Sequence, residues 1–124
     1  MISHVSIGTR DIATARRFYD AAFAPLGYKC LAEGDEFLGY GADSPAFWVL
    51  KVKHPVPRDE ASGLHFCLDA PSRRAVDSFY AAAVESGGTD NGKPGLRKDY
   101  GDNYYAAFVV DPDGYRLEAY CASK

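Results

Sequence analysis

The stretch Val109-Val110-Asp111-Pro112-Asp113-Gly114-Tyr115-Arg116-Leu117-Glu118-Ala119-Tyr120 reads as a strand, a tight turn and a second strand. Proline fixes φ early in the turn, the aspartates tolerate turn conformations, and Gly114 takes the position that needs positive φ. Side chains alternate along the second strand, so Leu117 and Ala119 point one way and Glu118 and Tyr120 the other. A mid-strand carboxylate among apolar neighbours is costly to bury unless it is paired or bound to a metal. Glu118 therefore needs a partner.

Two histidines supply one. His4 opens His4-Val5-Ser6-Ile7, where Val5 and Ile7 share the face opposite His4 and Ser6. His65 lies in Leu64-His65-Phe66-Cys67-Leu68, where the apolar alternates share the face opposite His65 and Cys67. Each histidine leads a strand whose other face is apolar. Taken alone, each reads as a satisfied core histidine, and Glu118 as a surface glutamate. Together, two histidines and a carboxylate from three strands form a ligand set for one divalent transition metal (Zn, Ni, Fe or Mn) with open positions.

What joins them is an internal repeat. Shifting the chain by 61 residues lays His4 on His65, Phe18 on Phe79, Tyr19 on Tyr80, Ala21 on Ala82, Ala22 on Ala83 and Gly27 on Gly88, without a gap. Both histidines head matching strands, and Phe-Tyr falls at matching helix positions. Each half reads as βαβββ, and the fold class is α+β: two tandem βαβββ modules forming a half-barrel cleft. Module 1 covers about 1–53, a linker 54–61 and module 2 about 62–124. In module 1 the strands are expected at Ile2 to Gly8, Tyr28 to Glu33, Glu36 to Tyr40 and Ala46 to Val52, with a helix from Asp11 to about Ala24. In module 2 they are expected at Leu64 to Asp69, Leu96 to Lys98, Tyr104 to Val110 and Tyr115 to Cys121, with a helix from about Pro71 to Ser86. If the helices cover the apolar face of each sheet, the face with His4, His65 and Glu118 must line a cleft, where a small-molecule substrate would bind.

Bulk composition is compatible with this. The 124 residues are 47% hydrophobic and 25% charged, with net charge −3, enough for one compact domain. So mild an acidic balance leaves no electrostatic footprint for nucleic acid or a membrane surface. No run of about 18 apolar residues occurs, and Met1 leads into a strand without a signal-peptide pattern. Cys30, Cys67 and Cys121 are odd in number and irregular in spacing, so a cytoplasmic protein with reduced thiols is expected.

Other residues bear on the cleft. The Gly-rich segment from Gly87 to Asn103 reads as a long loop, in which Lys93, Arg97 and Lys98 could hold an anionic group or simply be solvated. Tyr104 and Tyr105 face opposite sides of the seventh strand, so one should reach the cleft. Tyr105 is a candidate catalytic donor and Tyr104 a candidate substrate contact. Trp48 and Phe47 are candidates for an aromatic wall, although strand aromatics are more often packed.

The chain resembles the glyoxalase, bleomycin-resistance and extradiol-dioxygenase superfamily, also called vicinal oxygen chelate. The motifs that carry the resemblance are the opening strand with His4, Phe18-Tyr19, His65, and Asp111-Pro112-Asp113-Gly114-Tyr115-Arg116-Leu117-Glu118. It implies paired βαβββ modules, a divalent metal held by His4, His65 and Glu118, and a homodimer. It also implies a metal-dependent lyase or isomerase that polarises adjacent oxygens of a small substrate, with Glu118 able to move a proton. An extradiol-type dioxygenase and a metal-free, drug-binding protein like the bleomycin-resistance proteins are the alternatives. Glyoxalase I is similar but adds a glutamate on the fourth strand. By local match Val49 stands there, without a carboxylate.

Overall fold

In the computed structural model, residues 1–123 are described. The chain forms two four-stranded sheets, each with a helix on one face. Strand β1 (Val5–Thr9) leads to helix α1 (Ile12–Phe23), followed by β2 (Lys29–Glu33), β3 (Phe37–Gly41) and β4 (Phe47–Lys51). The pattern recurs as β5 (Phe66–Asp69), α2 (Arg73–Glu85), β6 (Thr89–Leu96), β7 (Tyr105–Val110) and β8 (Arg116–Cys121). The sheet orders are β1-β4-β3-β2 and β5-β8-β7-β6, so each module has its first strand at an edge, parallel to its last. The sheets remain open rather than closing into a barrel. His4 and His65 each sit one residue before their strands.

Local chemistry sets the helix starts. Asp11 caps α1 through Thr14 N–H at 3.1 Å, and Ser72 caps α2 through Ala75 N–H at 3.0 Å. The stripe of α1 buries Ala15, Phe18, Tyr19, Ala22 and Phe23, whereas Ile12 stays partly covered. That of α2 buries Ala75, Val76, Phe79 and Ala83. Both stripes join one core cluster with the inward residues of both sheets. The modules are locked together through this core. Tyr19 on α1 donates to Asp111 Oδ2 at 2.5 Å, Tyr115 Oη accepts from Gly8 N–H at 3.1 Å, and Phe47 meets Phe66 edge-on. Gly88 permits close approach of the two halves: a Cβ there would lie 2.7 Å from the Phe18 ring.

Two expectations are corrected. Residues 89–96 are not part of a long loop but a bulged edge strand paired with β7, with register shifts around Gly92 and Gly95. Bulges and an edge position allow a strand to carry glycine and a proline, which removes one N–H donor. The connection left between β6 and β7 is correspondingly short. The second correction concerns register. Ser6 pairs with Trp48 as Cys67 pairs with Glu118, so the counterpart of Glu118 in module 1 is Trp48, not Val49. Val49 points into the core, fully buried. No carboxylate occupies that fourth-strand position.

Candidate active site

The Asp111–Gly114 turn sets where β8 begins. Gly114 has φ 103°, the left-handed value that a side chain would resist, and its N–H bonds Asp111 O at 3.0 Å. Asp111 Oδ1 accepts from the N–H groups of Asp113 and Tyr115, while Oδ2 accepts from Tyr19. Burial raises the Asp111 carboxyl to about 6, against the lowering effect of these donors. The conspicuous turn aspartate is thus a structural brace between β8 and α1.

From that anchored start β8 alternates. Leu117 and Ala119 enter the core, and Glu118 faces outward between Cys67 on β5 and Phe108 on β7. Glu118 is nevertheless only 3% exposed. Its carboxylate is fully partnered: Oε1 lies 3.2 Å from His65 Nε2, and Oε2 accepts from Tyr104 Oη–H at 2.5 Å. Burial, followed by the Glu118 bond, pushes the Tyr104 phenol above its ordinary range, so it stays a donor. Loss of water around the sulfur and the Glu118 charge raise the Cys67 thiol to about 12, which argues against a nucleophilic cysteine.

His65, Tyr104 and Glu118 form one side of a cavity of about 680 Å³, whose wall includes Asn91, Asp99, Tyr100, Phe108 and Arg116. A second, more apolar cavity of about 500 Å³ lies on the other side of His65. It is lined by Val5, Phe23, Tyr28, Tyr40, Phe47, Phe66 and the 41–44 turn. His65 borders both.

The other candidates fall elsewhere. Strand alternation puts Tyr105 on the helix side, where it donates to Asp77 on α2. The tyrosine in the cleft is Tyr104. Phe47 is buried, wedged among Tyr19, Phe23 and Phe66. Trp48 lies on the outer face of the first sheet against Phe37, away from Glu118. Arg97 folds back to donate to Lys93 O and stacks on Phe108, and Lys98 does not line the cavity. His4 is exposed beside Ser3. Arg116, like Asn91, Asp99, Tyr100 and Phe108, lines the cavity without being a candidate in the sequence. Its alternation with Glu118 was the available signal.

Whether the donors suit a metal can be judged from their spacing. Two ligands each about 2.1 Å from one ion and roughly 100° apart stand about 3.2 Å from each other. His65 Nε2 and Glu118 Oε1 have that separation. Among the described residues, however, no three His, Cys, Asp or Glu side chains come together in one chain. The chain thus presents two donors of suitable type and spacing, and no third His, Cys, Asp or Glu stands beside them among the described residues.

The sequence matches the Glyoxalase/Bleomycin resistance protein/Dioxygenase superfamily over residues 1–119. A glyoxalase/bleomycin resistance protein from Albidiferax ferrireducens T118 is 29% identical, with TM-score 0.80 and 95% of each chain covered. A glyoxalase-related enzyme from Fulvimarina pelagi superposes with TM-score 0.76 at 17% identity, over 97% of this chain and 86% of the other. A glyoxalase/bleomycin resistance protein/dioxygenase family enzyme from Burkholderia phytofirmans PsJN does so with TM-score 0.71 at 20% identity, covering 96% of each. Comparison with proteins of curated function gives no match. The motif that ends in Glu118, the paired βαβββ modules and the match over nearly the whole length agree: the chain belongs to the Glyoxalase/Bleomycin resistance protein/Dioxygenase superfamily.

Proposed function

We propose that the protein is a metal-dependent lyase or isomerase acting on a small substrate with two adjacent oxygens. In this reading His65 and Glu118 hold a divalent ion (Zn, Ni, Fe or Mn), and His4 of a second copy in a homodimer completes the set. The observation that carries the reading is Glu118, a 3% exposed carboxylate joined to His65 at the side of a cavity large enough for a metabolite. Such an ion would act as a Lewis acid, polarising the substrate oxygens and stabilising the charge that develops on them.

The chain's own residues do the rest. Tyr104 Oη–H holds Oε2 of Glu118 and so fixes the direction of Oε1. Once released from the ion, Oε1 is the atom that would take a proton from substrate carbon and return it. The neighbouring aromatic side chains, Tyr100, Tyr104 and Phe108, would keep bulk water from the reacting carbon. Elemental analysis of the purified protein tests the proposal: wild type should retain close to one ion per chain, and His65→Ala and Glu118→Ala should lose it. Retention by both variants would overturn it.

One observation favours a second reading, a metal-free drug-binding protein. The apolar cavity of about 500 Å³ beside His65 suits an apolar ligand without coordination chemistry. Saturable quenching of Trp48 fluorescence by bleomycin in metal-free protein would support sequestration. A ring-cleaving dioxygenase is the third alternative, and oxygen uptake with catechols would reveal it.

A further inference from the structure

His65 stands at the end of a lightly anchored segment, the linker between the modules. Every residue from 56 to 65 is exposed, so little apolar burial holds this stretch in place. Among the described residues, the segment 54–64 makes two hydrogen bonds with the rest of the chain, and an arginine supplies each. Arg58 Nη2 donates to Pro112 O at 3.0 Å, from the linker to the turn before β8. Arg116 Nη1 donates to Glu60 O, from β8 back to the linker. The stem of Arg58 also lies against Gly114, where a Cβ would stand 2.3 Å from its Cγ. Between these ties and His65 the chain makes one 3-10 turn, Glu60–Ser62, which Asp59 caps through Ala61 N–H at 3.0 Å. Gly63 leaves that turn at φ 78°, and Leu64 N–H bonds Ser62 Oγ at 3.2 Å. His65 itself precedes the first pair of the β5–β8 ladder, Phe66 with Leu117, which puts it level with Arg116. The ladder therefore holds it from one side only, and the linker is the other side.

We infer that Arg116 is a positioning residue for His65, acting through Glu60 O, with Arg58 as its counterpart on the turn. Strand β8 then sets both members of the pair: Glu118 directly, and His65 through the clasped linker. A guanidinium bond to a carbonyl is charge-assisted and directional, so it fixes where the linker lies. With the clasp closed, the short turn delivers the imidazole to Glu118 Oε1 at 3.2 Å. With it open, the residues before His65 gain the freedom of an unanchored loop, and the pair is apart for more of the time. This role rests on the reading of His65 as a metal ligand only in its effect on the ion; its effect on the imidazole is measured without metal.

The test on the imidazole is carbethoxylation of metal-free protein by diethyl pyrocarbonate, followed at each histidine by peptide mass spectrometry. Arg116→Met should raise the His65 rate about five-fold, the change expected when one hydrogen bond is lost. Arg58→Met, on the exposed linker, should raise it in the same direction. His4, in module 1, should react at its wild-type rate in both variants. Arg116→Lys keeps a charged donor and should restore part of the protection. On the metal side, zinc affinity measured by chelator competition should fall about ten-fold or more in Arg116→Met, the usual cost of losing an outer partner of a ligand. The sign is informative, because removing a nearby cation would by Coulomb attraction alone tighten the binding of Zn²⁺. A His65 rate unchanged in both methionine variants, or one that rises together with that of His4, overturns the inference. So does tighter zinc binding by Arg116→Met. Failure of the metal reading looks different: wild type would hold no zinc while the His65 rate still responded to both arginines.

Discussion

Glu118 and Asp111 are two buried carboxylates seven residues apart, and their surroundings separate them into different roles. Asp111 is closed inside the turn, braced by Tyr19 and two backbone N–H groups, and is 1% exposed. Its carboxyl is raised to about 6, so between about pH 4 and 6 the folded state binds more protons than the unfolded chain. The contribution of this group is therefore fully present below the unfolded value and is lost as pH rises through about 6. The difference from an ordinary aspartate corresponds to on the order of 3 kcal/mol. Urea denaturation of wild type and Asp111→Asn across pH 4 to 7 should show the stability difference shifting in favour of the variant over that interval. A parallel pair of curves would contradict it. Glu118, by contrast, borders a cavity, and its Oε2 depends on a single phenol. Tyr104→Phe leaves that buried oxygen without a partner and should cost about 1 to 3 kcal/mol in urea denaturation. Tyr105→Phe loses only an exposed bond to Asp77 and should cost less.

At the level of elements, strand periodicity carried most of what could be read beforehand. Alternation in the Leu64–Leu68 and Tyr115–Tyr120 segments put His65 and Glu118 on matching faces, and adjacent parallel strands brought them to 3.2 Å. Three things are hidden for physical reasons. Strand β6 is rich in glycine and polar residues because it is a bulged edge with little to bury, and such a segment looks like a loop. The local match puts Val49 at the fourth-strand position where glyoxalase I has its glutamate, whereas the strand pairing puts Trp48 opposite Ser6 as Glu118 is opposite Cys67; register is a property of pairing, and a one-residue slip exchanges faces. Both Tyr104 and Tyr105 are candidates in the sequence because alternation alone does not say which face meets the cleft; Tyr104 lines the cavity and Tyr105 bonds Asp77. The register carries its own prediction. Gly39 pairs with Trp48 as Phe108 pairs with Glu118, and the Trp48 indole lies over the glycine. A methyl at position 39 would stand 2.7 Å from that ring, so Gly39→Ala should displace the sole tryptophan and shift its fluorescence emission. Phe18→Ala instead opens the fully buried junction between the helices and Gly88, and should cost about 3 to 5 kcal/mol.

For the molecule as a whole, the internal repeat explains both what the chain has and what it lacks. Module 2 carries a histidine, a carboxylate and a tyrosine around one cavity. Module 1 carries only His4 at the equivalent strand head, with Trp48 and Gly39 where Glu118 and Phe108 stand in module 2. His4 is exposed and stands apart from the His65–Glu118 pair within its own chain, so the proposed metal set needs a second copy. This could not be read from the sequence, which lists the three donors without saying which chain supplies each. Co-expression of His4→Ala with Glu118→Ala separates the possibilities. A mixed dimer then holds one complete set, made of His4 from one chain with His65 and Glu118 from the other. Metal content of the isolated mixed dimer should be about one ion per two chains, against none in either variant alone. Mixed dimers as empty as the two parent variants would contradict the shared site.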